Sequence, residues 1–488
     1  MFVFNDCRTD ARVLREAATL VAAGHEVTII ARPTDNAARV GDRETRDGFE
    51  IVRVPIPHAW RRWWIWTRYP WRARSWLLFR ARNAFSRPPI GLANALAAVA
   101  LAVVSLPWLA VRGAWYVLWN RGRKPPPGGS LSDWLVRWRF AILGWAEAAA
   151  REAPLADVYH GHDLTGLPAA LRAAERNGGR VVYDSHEIFL ESGTNARRPA
   201  WLRARFARLE RRWVARCDAL VTVNESLAEE LGRRYAPRRT VVVHNTPERW
   251  AAPAERPDLI RAATGIPADE PIALYHGGFS AHRGLEELAA AILEPGLERV
   301  HAVYLGYGTM RGWLDREATE PRYGGRLHVL DAVPPAELGP WVASADVGVM
   351  AIQASTLNHR LSTPNKLFEC LAAGVPVVAS DFPEMRRIVL GDPDGPLGEV
   401  CDPSSPADLA RAIGAIVSLP PDALADLRAR CLKAAHERWN WETESARLVA
   451  LYADLTGTGA GRGGAGTPPH GTGPGTAPGT TPGMEPAP

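Results

Sequence analysis

The chain has 488 residues, and its 47% hydrophobic and 23% charged residues exclude wholesale disorder. At about 150 residues per domain, this length indicates about three units or two large ones. The five cysteines lie far apart and form no CxxC pair, which disfavours a zinc ribbon or a disulfide scaffold and fits a reducing cytosol. The net charge of +5 is small, but the charges are unevenly distributed.

The chain opens with an α/β pattern. Residues 2–5 resemble a strand, and apolar residues at helical spacing predict a helix over 11–23. Gly24 follows as a C-cap, and further strands are predicted at 25–30 and 51–54. This alternation of strands and helices indicates a parallel sheet.

A basic, Trp-rich segment follows, which we define as residues 58–140. No acidic residue lies between Glu50 and Asp133, whereas thirteen Arg or Lys residues do. Subtracting 13 from the net charge of +5 leaves −8 for the rest of the chain. Twelve of the 19 tryptophans lie between Trp60 and Trp145. The segment is therefore a basic insertion in an otherwise slightly acidic protein.

The centre of the basic segment is an apolar run, cleanest over residues 95–111. At ~17 residues it is at the lower edge of what spans a bilayer, and Pro107 would kink it. Three interpretations are open: a single-pass span, a helix or hairpin in the membrane interface, and an insertion covered by the rest of the protein. We favour the interface, because Trp prefers the headgroup zone and Arg binds anionic lipid. Nucleic acid would suit Arg and Trp but not the apolar run, so no nucleic-acid partner is predicted.

After a Pro/Gly-rich linker at 125–129 the α/β pattern resumes. Strands are predicted at 157–160, 180–183, 219–223 and 240–243, with helices at 164–176, 201–216 (basic and amphipathic) and 225–235. A second series has strands at 272–275, 301–305, 327–330, 347–350, 375–379 and 397–400, and helices at 407–418, 421–439 and 442–455. Two parallel-sheet halves of this kind bind ligands between them, at the carboxyl ends of their strands.

Two glycine-bearing turns lie at such strand ends. Gly277 and Gly278 follow a strand, and Arg283 lies just before the next helix. Glycine lets the backbone approach a phosphate, a helix N-terminus offers unpaired N–H groups, and arginine adds a fork for phosphate oxygens. Gly306 lies in a similar turn after the following strand. Each turn alone also fits a purely structural role.

The most informative motif surrounds Pro364, which precedes a helix predicted over 365–372. The N-terminus of this helix, with Asn365 and Lys366, suits an anion. Glu369 lies three residues after Lys366 on a neighbouring face, where a carboxylate can hold two vicinal hydroxyls such as those of a ribose. A surface Lys–Glu pair is the structural alternative.

This motif resembles the donor-site signature of the GT-B retaining glycosyltransferases of family 4 (group 1). The resemblance covers residues 1–58 and about 145–455. The other matching motifs are Asn5-Asp6, Asp10-Ala11-Arg12-Val13, Gly24-His25-Glu26-Val27, Asp157-Val158-Tyr159-His160-Gly161-His162-Asp163, Tyr183-Asp184-Ser185-His186-Glu187, the loop from Gly277 to Gly284, Ser344-Ala345-Asp346-Val347-Gly348-Val349 and Trp439-Asn440-Trp441-Glu442.

The resemblance implies an α/β fold of the GT-B type, with two Rossmann-like domains that face each other across a cleft. The predicted units are an acceptor domain at 1–250 that carries the basic segment, a donor domain at 251–438, a helix at 439–455 that crosses back to the first domain, and a disordered tail at 456–488.

The resemblance also implies roles for individual residues. Arg283 and Lys366 would neutralise the donor diphosphate as it leaves, where negative charge grows. Glu369 would bind the ribose, and His162 would lie in the cleft near the transferred sugar, although a turn histidine bonded to Asp163 is its structural alternative. The implied donor-binding residues are Gly277, Gly278, Arg283, Gly306, Pro364, Asn365, Lys366, Leu367 and Glu369, and the acceptor side comprises Asp10, Arg12, His186 and Glu187.

One position departs from the family pattern. The fuller signature has two glutamates eight positions apart, but this chain has Leu361 eight positions before Glu369. The first glutamate usually touches the donor sugar, so the residues that select this sugar are not given by the motif. No metal is expected, because Arg283 and Lys366 already face the diphosphate. The DxD-like sequence Asp392-Pro393-Asp394 is interpreted as a structural turn.

The sequence therefore predicts a glycosyltransferase that uses a nucleoside diphosphate sugar and needs no cofactor. The basic segment indicates an anionic membrane surface as a partner, a glycan or lipid-linked acceptor, and a cytoplasmic location peripheral to the inner face of the plasma membrane. A non-catalytic GT-B protein that binds a nucleotide sugar or glycan is the alternative, supported by Leu361 alone. A dinucleotide-dependent oxidoreductase is disfavoured, because no GxGxxG turn follows the first strand.

Overall fold

The computed structural model describes residues 1–33, 42–57, 134–135, 137–253 and 255–457, with isolated positions 103, 107, 110 and 111. Most of the basic segment, including most of the apolar run at 95–111, lies outside the described residues, as does the predicted tail beyond residue 457. Among the helices that the structure describes, none combines the length and apolarity that a membrane span requires.

The first half of the chain builds an eight-stranded sheet. Its strands are β1 (Phe2–Val3), β2 (Thr28–Ala31), β3 (Asp42–Arg46), β4 (Phe49–Arg53), β5 (Val158–His162), β6 (Arg180–Ser185), β7 (Ala219–Thr222) and β8 (Thr240–Val242). They are arranged in the order β3-β4-β2-β1-β5-β6-β7-β8, and only the β3–β4 pair is antiparallel. Strand β3 was not predicted, because its sequence Asp-Arg-Glu-Thr-Arg has no apolar residue. A sheet edge tolerates such a strand.

Within the described residues of the first half, five α-helices accompany this sheet: α1 (Ala11–Ala22), α2 (Leu143–Glu152), α3 (Asp163–Asn177), α4 (Ala200–Val214) and α5 (Glu225–Tyr235). Helix α1 begins at Asp10, whose carboxylate accepts the Val13 N–H at 3.4 Å, and the chain leaves it through Gly24 at φ +90°. These are the N-cap and left-handed C-terminal glycine that such a helix favours.

The C-terminal end of the basic segment is part of the first domain's core. Trp134 and Trp138 are buried, and the Trp134 ring lies 4.4 Å from that of Phe206, centroid to centroid. A π-helical turn at Arg137–Ile142 then leads into α2. The tryptophans at this end of the segment therefore pack inside the protein.

The second half builds a six-stranded, wholly parallel sheet in the order β11-β10-β9-β12-β13-β14. Its strands are β9 (Ile272–Phe279), β10 (His301–Gly308), β11 (Leu327–Asp331), β12 (Val347–Met350), β13 (Val377–Ser380) and β14 (Gly398–Cys401). Its helices are α6 (Leu259–Thr264), α7 (Leu285–Ala291), α8 (Arg311–Glu317), α9 (Leu338–Ala343), α10 (Leu357–Leu361), α11 (Asn365–Ala372), α12 (Pro383–Leu390), α13 (Pro406–Val417) and α14 (Pro421–Glu437). The central strands are continuous apolar runs, as expected of parallel strands covered on both faces. The predicted α/β fold with two parallel-sheet domains is confirmed.

The last helix, α15 (Trp441–Thr456), returns to the first sheet. Asn440 caps it by accepting the Thr443 N–H at 2.9 Å. Leu448 and Leu451 pack with residues of β6 and β7 in one buried cluster, and the Trp441 indole N–H donates to the Thr19 hydroxyl at 2.9 Å. The end of the described chain is thereby joined to the first domain.

Candidate functional site

A cleft of about 640 Å³ lies between the two halves. Both contribute to its lining, through the loop after β1, the loop after β6, and the segment around α10 and the start of α11. The first half supplies Asn5, Asp6, Thr9, Asp10, Ala11, Arg12, His186, Glu187, Ser192, Gly193, Val223, Leu227 and Asn245, and the second supplies Arg283, Thr356, Asn358, His359, Ser362, Thr363, Asn365 and Phe368. All four residues that we placed on the acceptor side line this cleft.

Arg12 is the central cation of the first-domain wall, although only 5% of it is exposed. Its Nε and Nη2 atoms donate to the two Asp184 carboxylate oxygens at 3.0 and 3.2 Å, and Nη1 donates to the Val243 carbonyl at 2.9 Å. Glu16 lies 2.9 Å from its Nε on the same helix. Arg12 is therefore held by several bonds, and its positive charge is balanced by the buried Asp184 carboxylate, whose pKa Arg12 lowers against the effect of burial.

His186 presents a second cation to the cleft. Its Nε2 lies 3.1 Å from an Asp184 carboxylate oxygen, and its Nδ1 lies 3.5 Å from Asp163. Burial lowers the pKa of His186, but the charges of Asp163 and Asp184 outweigh burial and raise it to about 10. At neutral pH this imidazole is protonated.

The structure corrects the expected position of His162. Its side chain has no exposed surface, and its ring stacks on that of His160 with centroids 4.4 Å apart. Both residues lie on the same face of β5, because side chains two positions apart in a strand point the same way. That face is covered, since the His160 Nδ1 lies 2.8 Å from the hydroxyl of Tyr452 on α15. His162 therefore lies behind the cleft, and His186 lines it.

Glu187 follows His186 in the chain, and its carboxylate contacts a residue of the second domain. Burial, followed by the charge of Asp163, raises the pKa of Glu187. The Asn358 side-chain amide donates to the Glu187 carboxylate at 3.3 Å. The cleft therefore contains a desolvated carboxylate next to a protonated imidazole.

Lys366 is a half-buried cation on the donor side. Its Nζ lies 3.5 Å from the centroid of the Tyr275 ring. Burial, and then the nearby charge of Arg283, lower the pKa of Lys366 to about 7. A lysine in this state gains its charge readily when an anion arrives. The two predicted phosphate-binding cations are therefore electrostatically coupled.

Glu369 lies one turn further along α11. Its carboxylate is 2.8 Å from the Nε2 of His276, which belongs to β9. Burial raises the pKa of Glu369, but the hydrogen bond and charge of His276 outweigh burial and lower it. Pro364 occupies the N-cap position of α11, and Asn365 accepts a 3.0 Å hydrogen bond from the amide of Asn245.

The glycines near the donor side differ in role. Gly277 has φ +107°, and a Cβ there would lie 3.8 Å from the Lys366 Nζ. Around Gly278 there is open space. A Cβ on Gly306 would approach the Gly277 carbonyl oxygen to 2.0 Å, so this glycine is needed for strand packing. Leu367 is fully buried and contributes to the second core.

Sequence reasoning missed the contacts that join the two halves beside the cleft. The Asn358 side chain accepts the Ile188 N–H at 2.9 Å and donates to the Ile188 carbonyl at 3.0 Å. Asn224 donates to the Leu361 carbonyl and to the Thr363 hydroxyl, at 2.8 and 3.1 Å. We name these bonds the α10 contact. Asn224 has an N-cap pattern in the sequence, but no local signal indicates a partner more than a hundred residues away.

Two groups within the described residues have metal-ligand side chains close together: Glu16, His160, His162 and Asp184 in one, and Glu225, His244 and Glu384 in the other. Arginines already contact carboxylates in both, through Arg12 and Arg387. The Asp392 and Asp394 carboxylates are bound by Arg438 of the segment after α14, and Lys433 also binds Asp394. The DxD-like turn is thus held by salt bridges.

Comparison with known families gives two matches. The model described as "Glycosyl transferases group 1" matches residues 270–418, and that described as "Glycosyltransferase Family 4" matches residues 91–246. The second match begins at residue 91, so it includes part of the basic segment that our sequence analysis left outside the resemblance.

Similar proteins and structures have been characterised. A D-inositol 3-phosphate glycosyltransferase of Xylanimonas cellulosilytica is 30% identical over 315 residues, which cover 62% of this chain and 72% of that protein. A phosphatidyl-myo-inositol mannosyltransferase of Mycobacterium tuberculosis is 35% identical over 97 residues, covering 19% of this chain and 25% of that protein. Sucrose-phosphate synthase from Thermosynechococcus elongatus has a TM-score of 0.63 at 17% identity, covering 94% of this chain and 98% of its own. The HepE protein of Anabaena in complex with UDP has a TM-score of 0.52 at 16% identity, covering 64% of this chain and 82% of that chain. At these identities the structural likeness establishes the fold.

Proposed function

From the premise that this chain belongs to the group 1 and family 4 glycosyltransferases, we propose that it transfers a sugar from a nucleoside diphosphate, with retention, to a membrane-associated glycan or lipid-linked acceptor. The arrangement of residues on α11 supports the nucleoside diphosphate sugar as the donor. Lys366 and Glu369 lie one turn apart on this helix, and Arg283 is close enough to depress the pKa of Lys366.

The cations act on the leaving group. When the bond from the anomeric carbon to the diphosphate oxygen breaks, that oxygen gains negative charge, which Arg283 and protonated Lys366 stabilise. Glu369, held by His276, binds the ribose hydroxyls. The backbone at Gly277 and Gly278 leaves room for the diphosphate, because Gly278 faces open space. The solved neighbour in complex with UDP supports a diphosphate nucleotide as the ligand.

The acceptor binds the first-domain wall. In retention the acceptor hydroxyl enters on the face that the diphosphate leaves. Its oxygen forms the new bond to the anomeric carbon, and its proton passes to the diphosphate oxygen whose bond to that carbon breaks. Asp10, Arg12, His186 and Glu187 line this side. The inositol phosphate and phosphatidylinositol in the names of the two relatives support an acceptor that carries a phosphate, and protonated His186 supplies a matching charge.

We further infer a cytoplasmic location at the inner face of the plasma membrane, supported by the basic segment and by the lipid in the name of one relative. Leu361, on which the non-catalytic alternative depends, packs against the first domain's core. The glycosyltransferase family matches and the named relative favour an enzyme over that alternative. No metal is required by the proposed chemistry, since Arg283 and Lys366 supply the positive charge.

Calorimetric titration with UDP, GDP, ADP and TDP tests this function. We expect one nucleotide to bind and Glu369→Ala to lose most of that binding, whereas the matched control Glu320→Ala, on an exposed part of the same domain, retains it. Turnover of the corresponding donor sugars follows, with the anomeric configuration of the product read by NMR. Absence of binding by all four nucleotides would contradict the proposal.

A further inference from the structure

Helix α4 carries a stripe of basic and aromatic side chains that the proposed chemistry does not use. Trp201, Arg205, Arg208 and Arg212 follow each other at spacings of four, three and four residues, which places them on one side of the helix. All four are exposed, Trp201 by 60%. At 1.5 Å per residue the stripe is ~16 Å long.

The charge of this stripe is not neutralised within the described part of the chain. No ion pair joins Arg205, Arg208 or Arg212 to a described carboxylate, whereas Arg203 on the flank of the helix pairs with Glu191. The acidic residue of α4, Glu210, points into the core. Three guanidinium groups therefore face solvent together.

The opposite side of α4 is firmly packed, so the stripe has a fixed direction. Leu202, Phe206 and Val214 are buried in the first domain's core. Trp134, in the described C-terminal end of the basic segment, packs on Phe206. It also lies under the Arg198 guanidinium, 5.6 Å from the ring centroid.

The stripe is also close to the cleft along the chain. Ser192 and Gly193 line the cleft, and the loop that follows them leads directly into α4 at Ala200. The Arg203–Glu191 ion pair ties the helix to the end of this loop. The stripe is therefore connected to the wall of the cleft through this loop.

We propose that the exposed face of α4 docks on an anionic lipid surface, a proposal that rests on the membrane-associated acceptor inferred above. A row of arginines that pair with no described carboxylate fits a flat anionic surface, to which each arginine contributes separately. An exposed tryptophan favours the headgroup region. Nucleic acid is the other anionic surface of this kind. The lipid is favoured, because the loop that leads into α4 lines the cleft that we propose for a membrane-borne substrate.

Vesicle flotation of the full chain tests this docking face. We compare vesicles of phosphatidylcholine with vesicles that also contain phosphatidylglycerol. The variant Arg205→Gln/Arg208→Gln/Arg212→Gln is expected to lose about tenfold or more of its partitioning to the anionic vesicles. The control Arg299→Gln/Arg316→Gln/Arg322→Gln removes the same charge from exposed positions of the second domain and is expected to bind like the parent protein.

Each outcome decides the proposal. Equal partitioning of the two triple variants to anionic vesicles would overturn it. Binding of an oligonucleotide is measured on the same variants. If the α4 triple variant lost oligonucleotide binding but kept its vesicle binding, the proposal would also be overturned. Trp201→Ala should weaken vesicle binding while leaving its salt dependence in place, because it removes no charge. Nucleotide binding by calorimetry is measured on the same variants, so failure of the docking face is distinguished from failure of the donor site.

Discussion

The side-chain amide of Asn224, at the start of α5 in the first domain, donates a 2.8 Å hydrogen bond to the Leu361 carbonyl at the end of α10 in the second. Asn224 is fully buried, and its side-chain oxygen also accepts the Leu227 N–H at 2.8 Å. One residue therefore caps a helix and joins the domains. Leu361, which accepts the interdomain bond, lies at the position where the family signature has a glutamate.

Substitutions at Asn224 should separate these two roles. Asn224→Ala loses both the cap and the interdomain bonds, and we expect the free energy of unfolding to fall by about 2 kcal/mol. Asn224→Asp keeps an oxygen for the cap but loses the amide donors to Leu361 and Thr363. Urea unfolding should show a smaller loss for Asp than for Ala, and small-angle scattering should show a more open average shape for both. Unchanged scattering in both variants would remove Asn224 from the interdomain contact.

Nucleotide affinity should depend on pH through Lys366. Its pKa is lowered to about 7 in the free protein, and a bound diphosphate would raise it by stabilising the charged form. Above pH 7 binding must therefore take up a proton, and affinity should fall by up to about tenfold per pH unit between pH 7.5 and 9. Calorimetry in buffers of different ionisation enthalpy measures this uptake. Lys366→Arg, which stays charged, should show almost none, and equal uptake by both proteins would contradict the assignment.

Lys366 also affects the stability of the free protein. Nucleotide affinity should fall as pH rises, whereas the contribution of Lys366 to stability should increase. Because the folded pKa of Lys366 lies below its ordinary value of 10.5, the unfolded chain binds more protons between about pH 7 and 10.5. In that range this group makes the folded state more stable as pH rises, and Lys366→Met should remove the effect. Urea unfolding of both proteins at pH 7.5 and 9.5 measures the difference.

His186 should stabilise the protein at neutral pH. Its folded pKa of about 10 lies above the ordinary value of 6.5, so its stabilisation is complete below pH 6.5 and is lost as pH rises through 10. Relative to His186→Gln, the parent protein should lose stability between pH 7 and 10. His25→Gln provides a control away from the cleft. A constant difference over this range would show that the Asp163 and Asp184 charges do not hold the proton.

The two donor-side glycines should respond differently to a methyl group. Gly306→Ala places a Cβ 2.0 Å from the Gly277 carbonyl oxygen, so β9 and β10 must separate, and we expect a loss of about 3 kcal/mol in stability. Gly278→Ala meets open space, so its stability should change by less than about 0.5 kcal/mol while nucleotide binding weakens. Thermal unfolding measures the effect of each variant on packing, and calorimetry measures its effect on nucleotide binding. If both variants unfolded at similar temperatures, the predicted difference in stability would be wrong.

Local sequence patterns were enough to predict most strands and helices and the residues of the donor motif. Apolar spacing, Pro364 and Gly374 delimit α11 at Asn365–Ala372, the range that was predicted. Lys366 and Glu369 were identifiable because their spacing of three residues on a helix fixes their separation whatever the rest of the chain does. Strand-helix alternation likewise determined both parallel sheets, except for the polar edge strand β3.

Which side chains reach the cleft depends on how distant segments pack against each other. His162 and His186 both follow the motif pattern, yet α15 covers the face of β5 that carries His162, while His186 stays on the open side. The bond from Asn224 to Leu361 spans 137 residues, and no local spacing encodes it. Burial and charge environment, which set the pKa values of Lys366 and His186, arise only when distant segments pack together, because desolvation and Coulomb energies depend on position in space.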